Sequence, residues 1–171
     1  MAVHKIDGGP GGQTNHYPKK FVTLYSADAA TNAIAKGDWV AIDLGDTTNG
    51  LGMSVEQAAM TTGAGDPLVF GVATHALSVA GYLVVQTAGF YGYNGALTDA
   101  AAAGEGAATD GGVIAGAPLV AGDDGAAGQI DTYEAGTHTN ANIVGIALVA
   151  DGQDSYGNNE TSVIILDQGL F

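Results

Sequence analysis

One hydrophobic pattern is written twice in this chain, about eighty residues apart, and it limits the possible folds more than any single motif. The first copy reads IAKGDWV (Ile34 to Val40), VFGVA (Val69 to Ala73) and YLVVQTAGF (Tyr82 to Phe90). The second reads IAGAPLV (Ile114 to Val120), IVGIA (Ile143 to Ala147) and SVIILDQGL (Ser162 to Leu170). Ile34 and Ile114, Val40 and Val120, Val84 and Ile164, and Gly89 and Gly169 are each 80 apart, whereas Gly71 and Gly145 are 74 apart. Short β-branched runs punctuated by glycine read as strands. Two such halves, about 33–90 and 113–171, can stack as units or form the two sides of one barrel.

The pattern sets the expected elements. Phe21 to Tyr25 is a strand with Phe21, Thr23 and Tyr25 on one face. Lys36-Gly37-Asp38 is a turn, and Trp39 to Leu44 the strand after it. Residues 45–67 read as a long irregular excursion in which Ser54 caps a short helix through Met60, with Gln57 at the capping-box position. Residues 91–112 read as low-complexity loop, where Thr98 can cap one helical turn over the alanines, ended by Gly104. Pro118 to Gly125, Gln129 to Tyr133, Ile143 to Val149 and Thr161 to Leu166 are further strands, the last two joined by the polar tip DGQDSYGNNE. The expected fold is all-β. It is a compact barrel or sandwich of two similar halves over residues 21–171, preceded by a glycine-rich N-terminal arm, residues 1–20.

Charge is sparse and one-sided. Charged residues make up 13% of the 171, about half the usual ~25%, while 28 glycines make about 16% against a typical ~7%. There is no arginine, and all four lysines lie in the first 36 residues. Residues 1–36 carry four Lys against Asp7 and Asp28 (+2), residues 37–171 the other sixteen acids (−16), which together give −14. A body without cations cannot neutralise phosphates, so nucleic acid is not an expected partner. Such a charge keeps a protein dispersed and also suits a saline medium. No apolar run approaches the ~18–20 residues that span a bilayer, and Met1 to Pro10 lacks a secretory pattern, so a membrane is not expected either.

Reactive chemistry finds little support in the residues. Absent cysteine removes disulfides, thiolate zinc and thiol catalysis. The four histidines, His4, His16, His75 and His138, show no paired metal spacing, and neither a GxSxG elbow nor a phosphate-binding GK[ST] occurs. The tips GDDG (Gly122 to Gly125) and DGQDSYGNNE gather oxygens that Ca²⁺ could use, but Tyr156 stands where an EF-hand needs glycine, and solvated hairpin tips are the simpler reading. No catalytic residue, cofactor or metal is therefore expected. Trp39, the single tryptophan, is the expected core anchor. The arm can be a frayed terminus, or an extended strap whose positive charge faces an acidic neighbour.

A strand entered through an AxGD turn, then a φφGφA strand, then a strand ending in glycine, all stated twice, resembles the capsid decoration (cement) proteins of tailed bacteriophages. The residues carrying the likeness are Ala35-Lys36-Gly37-Asp38, Val69 to Ala73, Leu83 to Gly89, Ala115 to Val120 and Ile143 to Ala147, with Pro118 at the second Asp position. The long insert at 45–67 departs from the family's usual pattern. The resemblance implies a non-enzymatic, β-barrel-like virion subunit made in the host cytoplasm. It would be a homotrimer on the outer capsid surface, in contact with the major capsid protein. Its arm residues His4, Lys5, His16, Tyr17, Lys19 and Lys20 would touch capsid or a neighbouring subunit. The alternatives are a phage tail, fibre or surface-array protein, or a carbohydrate-binding β module using Asp43, Asp46 and Tyr91.

Overall fold

The computed structural model describes residues 19–44, 54–58, 69–92, 101–102, 113–121, 127–133, 135, 143–148 and 160–167. The strands are β1 (Lys20–Ser26), β2 (Trp39–Ile42), β3 (Val55–Gln57), β4 (Val69–Ala73), β5 (Gly81–Tyr91), β6 (Ala101–Ala102), β7 (Pro118–Ala121), β8 (Ile130–Thr132), β9 (Gly145–Ala147), β10 (Glu160–Thr161) and β11 (Val163–Ile165). A 3-10 turn at Asp28–Ala30 is the one helical element among the described residues. The all-β expectation is met.

Nine strands form one antiparallel sheet in the order β3-β2-β4-β5-β11-β9-β7-β8, with β1 also paired to β5. The order is symmetric about the β5–β11 seam. Each half runs from an outer short strand, through a post-turn strand and a glycine-centred strand, to the seam. β5 is long enough to hold β1 along Gly81–Ala88 and β11 along Gly89–Tyr91. The sheet curls so that its two ends meet: Gly128 donates to Ala58 O at 2.8 Å and accepts from Trp39 N–H at 2.7 Å.

Local hydrogen bonding repeats between the halves, at offsets that correct the sequence reading. Gly37 N–H binds Ala73 O at 3.0 Å, and Gly116 N–H binds Ala147 O at 2.8 Å. Val40 pairs with Gly71 and Gln57, Leu119 with Gly145 and Thr132. The post-turn strands therefore correspond at 79, not 80. The glycine-centred strands do correspond at 74. Val72–Gln86 and Ile146–Ile164 pair equivalently, so β5 and β11 correspond at 78, not 80. Apolar patterning repeats every two residues and tolerates such slips, whereas backbone pairing does not.

The corrected correspondence shows how the core is divided. Ile34, Val40, Val55, Phe70, Ala73 and Val85 of the first unit share one buried cluster, roofed by Leu24 of β1 and Ala29 of the 3-10 turn. Their counterparts in the second unit, Val113, Leu119, Ile130, Val144, Ala147 and Val163, share the other. That second cluster is roofed by the reverse face of the first unit, through Trp39, Ala41, Val69, Val72 and Tyr91. Equivalent faces thus have different covers, and the reverse face of the second unit keeps Ile146 and Leu148 exposed.

One helical and one loop expectation are overturned. Ser54 caps no helix: it bridges Tyr25 in parallel, and Val55–Gln57 is strand β3 on β2. Tertiary pairing wins because Val55 gains full burial, which a short exposed helix could not give. Ala101–Ala102, in the stretch expected as loop, is the strand β6, paired with β10. Thr98, Gly104, the GDDG tip, residues 151–159 of the second tip and most of the 45–67 excursion lie outside the described residues.

Candidate functional site

Of the arm contacts expected from the resemblance, His4, Lys5, His16 and Tyr17 lie outside the described residues, whereas Lys19 and Lys20 sit at the head of β1 on the sheet seam. Lys20 pairs with Ala88 and forms an ion pair with Asp167, just beyond β11. Lys19 Nζ lies 5.9 Å from the centre of the Phe90 ring, within cation–π range. Both contacts are made where β1 and β11 meet end to end on β5, beside a cleft lined by Gly89, Ile164 and Leu166. Exposed pairs of this kind contribute at most about 1 kcal/mol. Their effect is positional: they fix the point at which the preceding segment reaches the sheet.

Trp39 is fully buried and spans the two halves. A Cβ placed on Gly145 would lie 3.4 Å from Trp39 Cη2, so the indole rests on the glycine of the facing unit. Among the described residues its Nε1 has no hydrogen-bond partner. Tyr91 is not an exposed platform for a sugar: it is buried, and its hydroxyl donates to Ala73 O at 3.2 Å. Asp43 is buried with its N–H bound to Ser54 O, and Asp46 lies outside the described residues. His75 is exposed, with Nδ1 3.4 Å from Thr74 Oγ1. His138 is not described.

The polar cluster missed by sequence reasoning is centred on Asp38. The turn itself was legible, with Gly37 at φ 95° relieving the strain that a side chain would meet there. The carboxylate's partners were not. Asp38 Oδ2 accepts from Ala35 N–H at 2.7 Å and from Gln57 Nε2 at 2.7 Å. Gly128, at φ 83°, packs so closely that a Cβ there would lie 2.9 Å from Asp38 Cγ. Asp38 thus locks the entry turn to β3 and to the closing segment of the curl. Its counterpart in the second unit is Ala117, followed by Pro118, which has no N–H to match that of Trp39. The lock exists once.

Burial pushes the Asp38 carboxyl above its ordinary value of 3.8, against the two hydrogen bonds that lower it. A folded value above the unfolded one gives stability that is full below the ordinary Asp value and is lost as pH rises through the raised value. Asp38→Asn keeps an acceptor for both donors and removes the charge. The variant's unfolding free energy minus that of wild type should therefore increase as pH rises from about 3.8. Urea titrations across that window check it, and a difference that shrinks with pH would contradict the assignment.

Among the described residues no group of three or more His, Asp or Glu side chains is placed to hold a metal ion. No described helix is long and apolar enough to cross a membrane. Comparison with known proteins finds no matching family model and no matching curated protein.

Proposed function

We propose that this chain is a structural virion protein that decorates the outer face of a tailed-phage capsid and stabilises the shell. It acts as a homotrimer in contact with the major capsid protein and performs no chemistry. The observation that carries the reading is the arm's root. Lys19 and Lys20 tie the start of β1 to Phe90 and Asp167, so the glycine-rich N-terminal segment joins the sheet at one fixed point. A strap rooted this way adds contact to whatever the body touches, and multivalent attachment multiplies weak contacts. The motif residues of the resemblance also lie together. Trp39 to Ala41, just after the Ala35–Asp38 turn, pairs with Val69–Val72, and Pro118 and Leu119 pair with Ile146 and Gly145. Asp38, the described carboxylate whose titration burial shifts, has its hydrogen bonds committed to the fold.

Heads carrying the chain should survive heating, chelation or osmotic shock that disrupts heads without it, because a subunit bound only to the assembled lattice shifts the equilibrium towards it. Deleting residues 2–19 should leave the fold intact and weaken attachment. His75→Ala and His138→Ala should leave protection unchanged. A density map of the mature particle is decisive: this chain inside the shell, in the tail or missing would overturn the reading.

A further inference from the structure

The curl closes at one narrow place. Its outer strands, β3 and β8, are not paired with each other. Among the described residues two backbone hydrogen bonds join the ends, Trp39 N–H to Gly128 O at 2.7 Å and Gly128 N–H to Ala58 O at 2.8 Å. By contrast, β1 and β5 pair over seven residues. Segments held by few backbone bonds open locally, without unfolding the rest. Glycine stands on both sides of the joint, Gly37 at φ 95° and Gly128 at φ 83°, in the left-handed region that other side chains resist.

A buried carboxyl sits against this joint. Asp38 is 8% exposed, and its Cγ lies so close to Gly128 that the glycine could not carry a Cβ without a shift. That packing leaves little room for the water an ionised carboxylate draws, and the donors Ala35 N–H and Gln57 Nε2 both bind Oδ2. Among the titratable residues of the surrounding elements, Lys36 in the same turn and His75 beyond β4 are exposed. Glu56 neighbours Gln57 in β3 and so stands on the other side of that strand, and Asp131 of β8 is an acid rather than a counter-charge. Burial comes first in moving the carboxyl's titration, ahead of the two hydrogen bonds.

We infer that Asp38 makes this joint a pH-operated clasp, shut while the carboxyl is protonated and opening at Gly128 as it ionises. Opening lets water reach the carboxylate and frees the lead-in to β8 from Trp39 and Ala58, while the ladders of β1, β2, β4 and β5 stay formed. The closed joint holds the proton more tightly than an open one does. Closure is therefore favoured at low pH and weakens as pH rises. The second unit has no such device, since Ala117 stands where Asp38 does in the first. The clasp does not depend on the decoration role.

Amide hydrogen exchange of the full chain, followed by NMR with and without sub-denaturing urea, tests this. The Trp39 and Gly128 amides should exchange faster than those of the β1–β5 ladder and respond little to urea, the mark of a local opening. Their protection, corrected for the base catalysis of exchange itself, should fall by up to about tenfold per pH unit above the ordinary Asp value of 3.8 and then level off, as release of one proton requires. The carboxyl carbon shift of Asp38 should titrate over the same window. In Asp38→Asn, which keeps the acceptor, protection at both amides should stay high and flat. Should that variant not fold, the wild-type titration decides alone. Wild-type protection independent of pH, a fall that persists in Asp38→Asn, a carboxyl that titrates outside the window, or clasp amides as urea-sensitive as the ladder would each overturn the proposal.

Discussion

Trp39→Ala should lower the unfolding free energy by about 3–5 kcal/mol, the range for emptying a large aromatic side chain from a packed core. The loss combines two contacts that alanine cannot replace. Trp39 is fully buried in the cluster that roofs the second unit, and its ring tip rests on Gly145. Urea unfolding followed by far-UV circular dichroism measures it, the fluorescence probe being lost with the residue; the midpoint should fall while the denaturant slope holds. Trp39→Phe should cost much less. It keeps most of the ring and removes an Nε1–H that no acceptor among the described residues satisfies. A phenylalanine variant as unstable as the alanine one would show that the indole nitrogen matters more than the packing.

Gly71→Ala should cost about 3 kcal/mol or more, at or beyond the usual 1–3 kcal/mol of core overpacking. A Cβ at Gly71 would lie 2.2 Å from the carbonyl oxygen of Gln86 and 2.9 Å from Val85 Cγ1. The first obstacle is backbone of β5, which is also bound to β1, so it cannot step aside cheaply. Gly145, the same position in the second unit, faces Ile164 O at 2.9 Å. Gly145→Ala should therefore destabilise less. Thermal midpoints of the two variants settle the order, and equal losses would mean that β5 yields as readily as β11.

Those two glycines also mark what was legible in the sequence. Their place in the middle of β-branched runs announced strands, and a glycine inside a strand signals close backbone approach. The turn residues Gly37 and Asp38 likewise marked the entry to β2, and the apolar run Leu83, Val84 and Val85 marked β5. Ser54 to Gln57 misled because S-x-x-Q satisfies a local rule, while the outcome was decided by Ile42 and Val40 across the sheet. Asp38 shows the same limit at the site. Its turn is local, but Gln57 and Gly128 come from 19 and 90 positions along the chain, and nothing short-range connects them. Lys20 meets Asp167 across 147 positions, a pairing set by strand order rather than by either residue's neighbours.

The different roofs over the two clusters also impose a schedule. The first unit brings its own cover, β1 and the 3-10 turn, from residues that precede it in the chain. The second unit has to borrow a surface that exists only after the first sheet has formed, since Trp39, Val72 and Tyr91 come from three separate strands. On a ribosome the earlier half can close while the later one is still being made, and domains generally fold in that order during synthesis. The later half then docks onto a finished template. A chain permuted to emit Val113–Asp167 first would present that apolar face to solvent for as long as its template took to appear.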